Sequence, residues 1–120
     1  MKNEYSMNEY LQAVYKALDD KKAEDIQIIN IKEISYMADY FVIANGTNVN
    51  QVHALCDNVS EELAKCKLHT RQTEGYTAGN WILMDYGDII VHIFDRESRS
   101  FYDLERIWKD AKNVTEEYVS

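Results

Sequence analysis

Asp85 and Asp88 flank Tyr86-Gly87 and are the acidic pair best spaced to present carboxylates to a divalent cation. A magnesium or calcium site needs several convergent oxygens. Residues three apart on a regular strand face oppositely, so only a hairpin turn would bring this pair together. Asp95, the next acid, falls at the far end of the following strand and supplies no third ligand at a matching position. Asn45-Gly46-Thr47 precedes a helix N-terminus, where backbone amides can hold an anion. It has one glycine and no lysine, so it lacks the phosphate-loop pattern, and a turn with a helix cap is the plainer reading. His53, His69 and His92 fall on a helix, a loop and a strand, and their spacing makes no Ser-His-Asp or Cys-His set. His92 reads more simply as a strand histidine. Cys56 and Cys66 stand ten residues apart on one predicted helix, a rise of about 15 Å, too far for a disulfide. They match no zinc or redox spacing and read as reduced thiols. We therefore expect no catalytic centre, no metal and no cofactor.

Trp81 suggests recognition instead. It opens the run Trp81-Ile82-Leu83-Met84-Asp85-Tyr86. On a strand, Trp81, Leu83 and Asp85 share one face and Ile82, Met84 and Tyr86 the other. A face that contains Asp85 can be partly wet. Trp81 is then either a core residue or an anchor on an accessible apolar surface rimmed by acid, and the second arrangement suits a basic partner. The chain carries 21 acidic against 13 basic side chains, a net charge of −8. That sign argues against DNA or RNA binding through phosphates. It fits a basic protein partner, or simple solubility.

The elements that must position these residues follow from periodicity. With 120 residues, 46% of them hydrophobic, the chain reads as one domain with a real core, and it has no proline and no Gly/Ser linker. No apolar run approaches the roughly 20 residues of a membrane helix. The first residues lack the pattern of a secretory signal, so we expect a cytoplasmic protein. Ser6 with Glu9 forms a capping box for a helix reaching about residue 21, with Met7, Tyr10, Leu11, Val14 and Leu18 on one face. Residues 25–33 read as a strand. Residues 40–44 read as a strand buried on both sides, ending at Asn45-Gly46. Asn48 with Gln51 caps a second helix whose stripe is Val52, Leu55, Cys56, Val59 and Leu63. Residues 70–74 form a short strand. Residues 81–86 and 89–94 make a hairpin about Asp85-Tyr86-Gly87-Asp88, with glycine supplying the positive φ of the turn. Ser100 with Asp103 is expected to start a last helix, with Leu104, Ile107, Trp108 and Ala111 inward. The polar tail from Asn113 is expected to fray. The order α-β-β-α-(β)-β-β-α implies an α/β or α+β fold, a mixed sheet flanked by helices.

Several runs resemble the signatures of the ribosomal silencing factor family, RsfS, also called Iojap or YbeB. The first is Ala38-Asp39-Tyr40-Phe41-Val42-Ile43-Ala44-Asn45-Gly46-Thr47, followed by Gln51-Val52. Next come Glu74-Gly75, the run from Trp81 to Asp88, and Val91-His92-Ile93-Phe94. The last is Arg99, then Tyr102-Asp103-Leu104-Glu105 and Trp108. The resemblance spans about residues 5–112. It implies one small α/β domain similar to nucleotidyltransferases, often a homodimer, with no catalysis. It implies binding to ribosomal protein fourteen of the large subunit, at the face where the small subunit docks, which blocks subunit joining and lowers translation when nutrients run short. By the same resemblance Trp81 is the interface tryptophan, Asp85, Asp88 and His92 are hairpin positions, and Glu74 is the acidic position before them. Asp85 and Asp88 would pair with basic side chains of the partner. Tyr102 and Arg99 belong to the last signature, either facing the partner or supporting the fold. Asp39 orders the start of the second strand. Asn45 departs from the family, where many members carry threonine or another residue. A nucleotidyltransferase-like enzyme would need a Gly-Ser turn and an Asp-x-Asp pair, and Gly46-Thr47 and Asp85-x-x-Asp88 depart from both. A dimeric adaptor with an unrelated partner is a further alternative.

Overall fold

The run Tyr40–Gly46 is buried along its whole length, as only a central strand can be. In the computed structural model, which describes residues 5–119, it lies inside a six-stranded mixed sheet. The chain order is α1 (Met7–Asp20), β1 (Glu24–Asn30), β2 (Tyr40–Gly46), α2 (Val49–Lys65), β3 (Gln72–Glu74), β4 (Trp81–Asp85), β5 (Ile89–Asp95), α3 (Arg96–Tyr102), α4 (Leu104–Ile107) and β6 (Lys112–Asn113). A 3-10 turn, Thr115–Glu117, follows. The strands lie in the order β3-β4-β5-β2-β1-β6. Only β2 and β5 run parallel; the other neighbours are antiparallel. The fold is a single α+β domain, as the element pattern led us to expect.

One face of the sheet is closed by α1 and α2. The capping box forms: the Ser6 hydroxyl accepts the Glu9 N–H at 3.2 Å and the Glu9 carboxylate accepts the Ser6 N–H at 2.8 Å. At α2, Asn48 Oδ1 accepts the Gln51 N–H at 2.9 Å. Leu11, Val14 and Leu18 of α1, with Val52, Leu55, Cys56, Val59 and Leu63 of α2, pack on Ile28, Val42, Ile82, Met84, Val91 and Ile93. Met7 and Tyr10 reach this core only in part. Burial pushes the Cys56 thiol up to about 11, so it stays protonated and inert. Among the described residues, neither cysteine is disulfide-bonded.

The opposite face gathers Ile29, Ile31, Phe41, Ile43, Ile90 and Phe94, and α4 covers part of it through Leu104. Trp108 meets Phe41 edge-on, with ring centroids 5.3 Å apart.

The C-terminal segment departs from expectation twice. Asp95 is the helix cap, accepting the Ser98 N–H at 2.8 Å, so a helix begins before Ser100. It stops at Asp103, which takes a left-handed φ of +48°, and the single turn α4 follows. Ile107 is consequently 67% exposed rather than inward, whereas Leu104 is buried and Trp108 and Ala111 pack against that core. Nor does the tail fray. Lys112–Asn113 pairs with Ile29 and Asn30 of β1. Thr115 Oγ1 accepts the Ile28 N–H at 2.8 Å, and Val114 and Tyr118 are buried. The Tyr118 hydroxyl donates to Asn8 Oδ1 at 2.7 Å, tying the last residues to α1. A polar tail of this kind satisfies the otherwise open edge of β1.

Candidate partner-binding site

The hairpin β4–β5 sets the geometry. Gly87 has φ +91° in its turn, and Asp85 Oδ1 accepts the Gly87 N–H at 2.8 Å. The expected alternation holds: Ile82 and Met84 are buried, while Trp81, Leu83 and Asp85 are half-buried on the other face. Pairing aligns the rows across that face. Trp81 stands opposite Phe94, Leu83 lies between Glu74 and His92, and Asp85 lies between Gln72 and Ile90.

Trp81 packs its ring on Phe94 at 4.9 Å and on Tyr102, the last residue of α3, at 4.5 Å. Its indole N–H donates to His92 Nδ1 at 3.1 Å. His92 is 4% exposed, and burial pulls its imidazole down to about 4, so it is neutral near pH 7. Because Nδ1 accepts, the ring proton sits on Nε2. Glu74, Gly75, Trp81 and Leu83 line a shallow dish of about 260 Å³. Glu74 is exposed at its rim, and its carboxylate accepts a bond from the Gln72 amide.

The loop before Trp81 admits only glycine at 75. Gly75 has φ +80°, and a Cβ there would meet the Trp81 carbonyl oxygen at 2.1 Å. The loop is held to α2 by contacts that no local sequence pattern reports. His53 Nε2 donates to the Tyr76 carbonyl at 2.6 Å, their rings stack at 4.4 Å, and the Tyr76 hydroxyl donates to Asp57 at 2.9 Å.

Asp88 is exposed at the turn, and its carbonyl accepts the N–H groups of Asp39 and Tyr40 at 2.9 and 3.0 Å. Through its backbone, Asp39 thus joins the start of β2 to the hairpin.

Arg99 lies elsewhere, with its side chain turned into the protein. Its guanidinium donates to Asn45 Oδ1 at 3.0 Å, to the Glu24 carbonyl at 3.2 Å and, through Nε, to Glu105 at 3.0 Å. Asn45 in turn donates to Glu24 Oε1 at 2.7 Å. The hydrogen bond from Arg96 holds the Glu24 carboxyl down at about 2. This network occupies the carboxyl ends of the parallel strands β2 and β5, where the chain leaves toward α2 on one face and α3 on the other. Such switch points are where open α/β sheets take ligands; here the protein's own arginine sits beside it. The Gly46-Thr47 turn is closed in the same manner, since the Thr47 N–H donates to Gln51 Oε1 at 2.6 Å.

Of the residues singled out from sequence, Trp81, Glu74, Asp85, His92 and Tyr102 therefore gather on one half of one sheet face, Asp88 marks its turn, and Arg99 belongs to the buried network. The structure adds Leu83, Phe101 and Ile107. Phe101 is 79% exposed and borders, with Tyr102 and Ile107, a second depression. The break at Asp103 turns these side chains outward, and a continuous helix read from the sequence hides it. Among the described residues, no group of three or more His, Cys, Asp or Glu is placed to hold a metal, and no helix is long and apolar enough to cross a membrane.

A family model described as ribosomal silencing factor during starvation matches residues 4–120. The chain is 39% identical over 114 residues to the ribosomal silencing factor RsfS of Halalkalibacterium halodurans, covering 95% of this chain and 97% of that one. It is 38% identical over 101 residues to the RsfS of Bacillus subtilis, covering 84% and 86%. Its fold matches a crystal structure of a protein from Chromobacterium violaceum with a TM-score of 0.85, at 28% identity and 88% coverage of each chain. A family match over nearly every residue, close relatives along the same length and a shared fold together identify this chain as a member of the ribosomal silencing factor family.

Proposed function

We propose that this chain is a translational repressor without catalytic activity. It binds the large ribosomal subunit through ribosomal protein fourteen, covers the face where the small subunit docks, and keeps the subunits apart when nutrients are short. Its work lies in the cytoplasm, with the ribosomes.

The observation that carries this reading is Trp81, half-buried beside Tyr102 of α3 at an apolar dish on the part of the sheet that α4 leaves open. Aromatic anchors of this kind dominate interface energies. Glu74, Asp85 and Asp88 give the surroundings a negative sign, and the chain as a whole carries −8. A basic ribosomal protein complements that charge. Tyr102 and Phe101 extend the apolar area, while Arg99 supports α3 from within. The exposed Phe101 and Ile107 also offer a second copy of the chain an apolar surface, in keeping with a homodimer in the free state.

Co-pelleting with purified large subunits tests the reading. The chain should pellet with them, and a folded Trp81→Ala variant should bind about 30-fold more weakly, the equivalent of about 2 kcal/mol. Absence of wild-type pelleting, or equal binding by folded Trp81→Ala, would refute it. Sedimentation velocity of the free chain checks the dimer.

A further inference from the structure

The Trp81 indole N–H points inward. It ends on His92 Nδ1, two residues along β5 from Phe94, the direct partner of Trp81. His92 cannot easily turn away: Phe41 meets its ring edge-on at 4.6 Å, and Phe94 lies at 6.4 Å on another side. Its remaining nitrogen, Nε2, is buried without a hydrogen-bond partner. An unpaired buried donor is a cost that an aliphatic residue in this row would avoid. What histidine contributes there is the single bond to Trp81.

Resting on the reading of Trp81 as the partner's anchor, we propose that His92 is a positioning residue: by accepting the indole N–H it fixes Trp81 so that the partner meets an oriented aromatic face with no donor. Phe94 and Tyr102 already pack against the ring, tilted, with centroids at 4.9 and 4.5 Å. The contact left to a partner is the part of Trp81 that lines the dish, which Glu74 also borders. A lysine or arginine side chain fits that chemistry. Its stem packs on the indole, its cation is favoured over the ring, and the acid at the rim adds to the attraction.

The test uses the full chain with His92→Leu, His92→Asn, Trp81→Phe and Trp81→Leu. It has two readouts: solvent exchange of the indole proton by NMR, with Trp108 as internal reference, and co-pelleting with purified large subunits. His92→Leu should speed Trp81 indole exchange, leave Trp108 unaffected, and weaken binding about tenfold. In His92→Asn the side-chain oxygen stands near the position of Nδ1 and should restore both. Trp81→Phe removes the same bond and should weaken binding about as much as His92→Leu, less than Trp81→Leu does, and adding His92→Leu to it should change binding no further. A His92→Leu protein with lowered thermal stability but unaltered indole exchange and binding would reduce His92 to a packing residue and overturn the proposal. Should His92→Leu not fold, Trp81→Phe decides: a folded Trp81→Phe that binds like the wild type means that the bond to His92 orients nothing the partner needs, which also overturns it. If the wild-type chain does not pellet at all, the reading of the site falls and this proposal with it; if the wild type pellets and the His92 variants match it, the proposal alone falls.

Discussion

The two faces of the sheet are made by the same strands and finished differently. On one, α1 and α2 cover Val42, Val91 and Ile93 with aliphatic stripes, and the interior is almost wholly apolar. On the other, Leu104 and Trp108 cover the half nearest β1, and the half nearest β4 is left to Trp81, Leu83 and Asp85. That second half sets an indole and an imidazole beside carboxylates, and unpaired carboxylates are what a closed core would exclude. Apolar burial is enough for a face the chain completes itself. A face that, as we propose, a partner completes needs fixed orientation and charge as well.

The largest expected effect probes the closed face. Leu55→Ala removes a fully buried side chain and should lower unfolding free energy by about 3 kcal/mol in a denaturant titration. Large-subunit binding by the folded fraction should not change. Leu83→Ala, half-buried on the open face, should cost less than about 1 kcal/mol of stability.

Acid separates the faces next. His92 titrates near 6.5 when unfolded and at about 4 when folded, so on acidification the unfolded state takes up the proton first. Its contribution is complete above pH 6.5 and is lost as pH falls from 6.5 to 4, about 3 kcal/mol in all. Glu24, with its carboxyl lowered to about 2, loses its share only below the ordinary carboxylate range, from 4.5 to 2. Denaturant midpoints at pH 7, 5.5 and 4.5 should fall steadily for the wild type and less for His92→Asn.

Much of this contrast was legible in the chain itself, and unevenly. The closed face follows from local rules: a capping box at Ser6, a cap at Asn48 and apolar stripes at helical spacing. The hairpin was equally readable, because Gly87 and the alternation from Trp81 are local signals. The C-terminal segment was not. Its helix break rests on a left-handed Asp103, a conformation that aspartate adopts more readily than most residues but that remains uncommon outside glycine. Its tail is ordered by bonds such as Ile28 to Thr115, 87 residues apart, which no local pattern reports. Arg99 carried a motif position but not its burial, since arginine is usually exposed and the partners that satisfy it come from distant elements. The bond from Trp81 to His92 was within reach, because a hairpin's register makes diagonal neighbours of those residues.

Smaller effects concern the open face alone. Folded Trp81→Ala should lose about 2 kcal/mol of binding to large subunits while keeping a cooperative thermal transition. Asp88→Asn and Glu74→Gln should each cost less than about 1 kcal/mol, seen chiefly as a weaker salt dependence of binding. If the charge changes outweighed Trp81→Ala, the aromatic anchor would not be the centre of the site.

The most direct measurement is gradient sedimentation of purified large and small subunits with the chain present or absent, repeated with Trp81→Ala. The wild-type chain should migrate with the large subunit and deplete joined ribosomes, while folded Trp81→Ala should leave joining intact. A chain that stays at the top of the gradient, with joining unaffected, would contradict it.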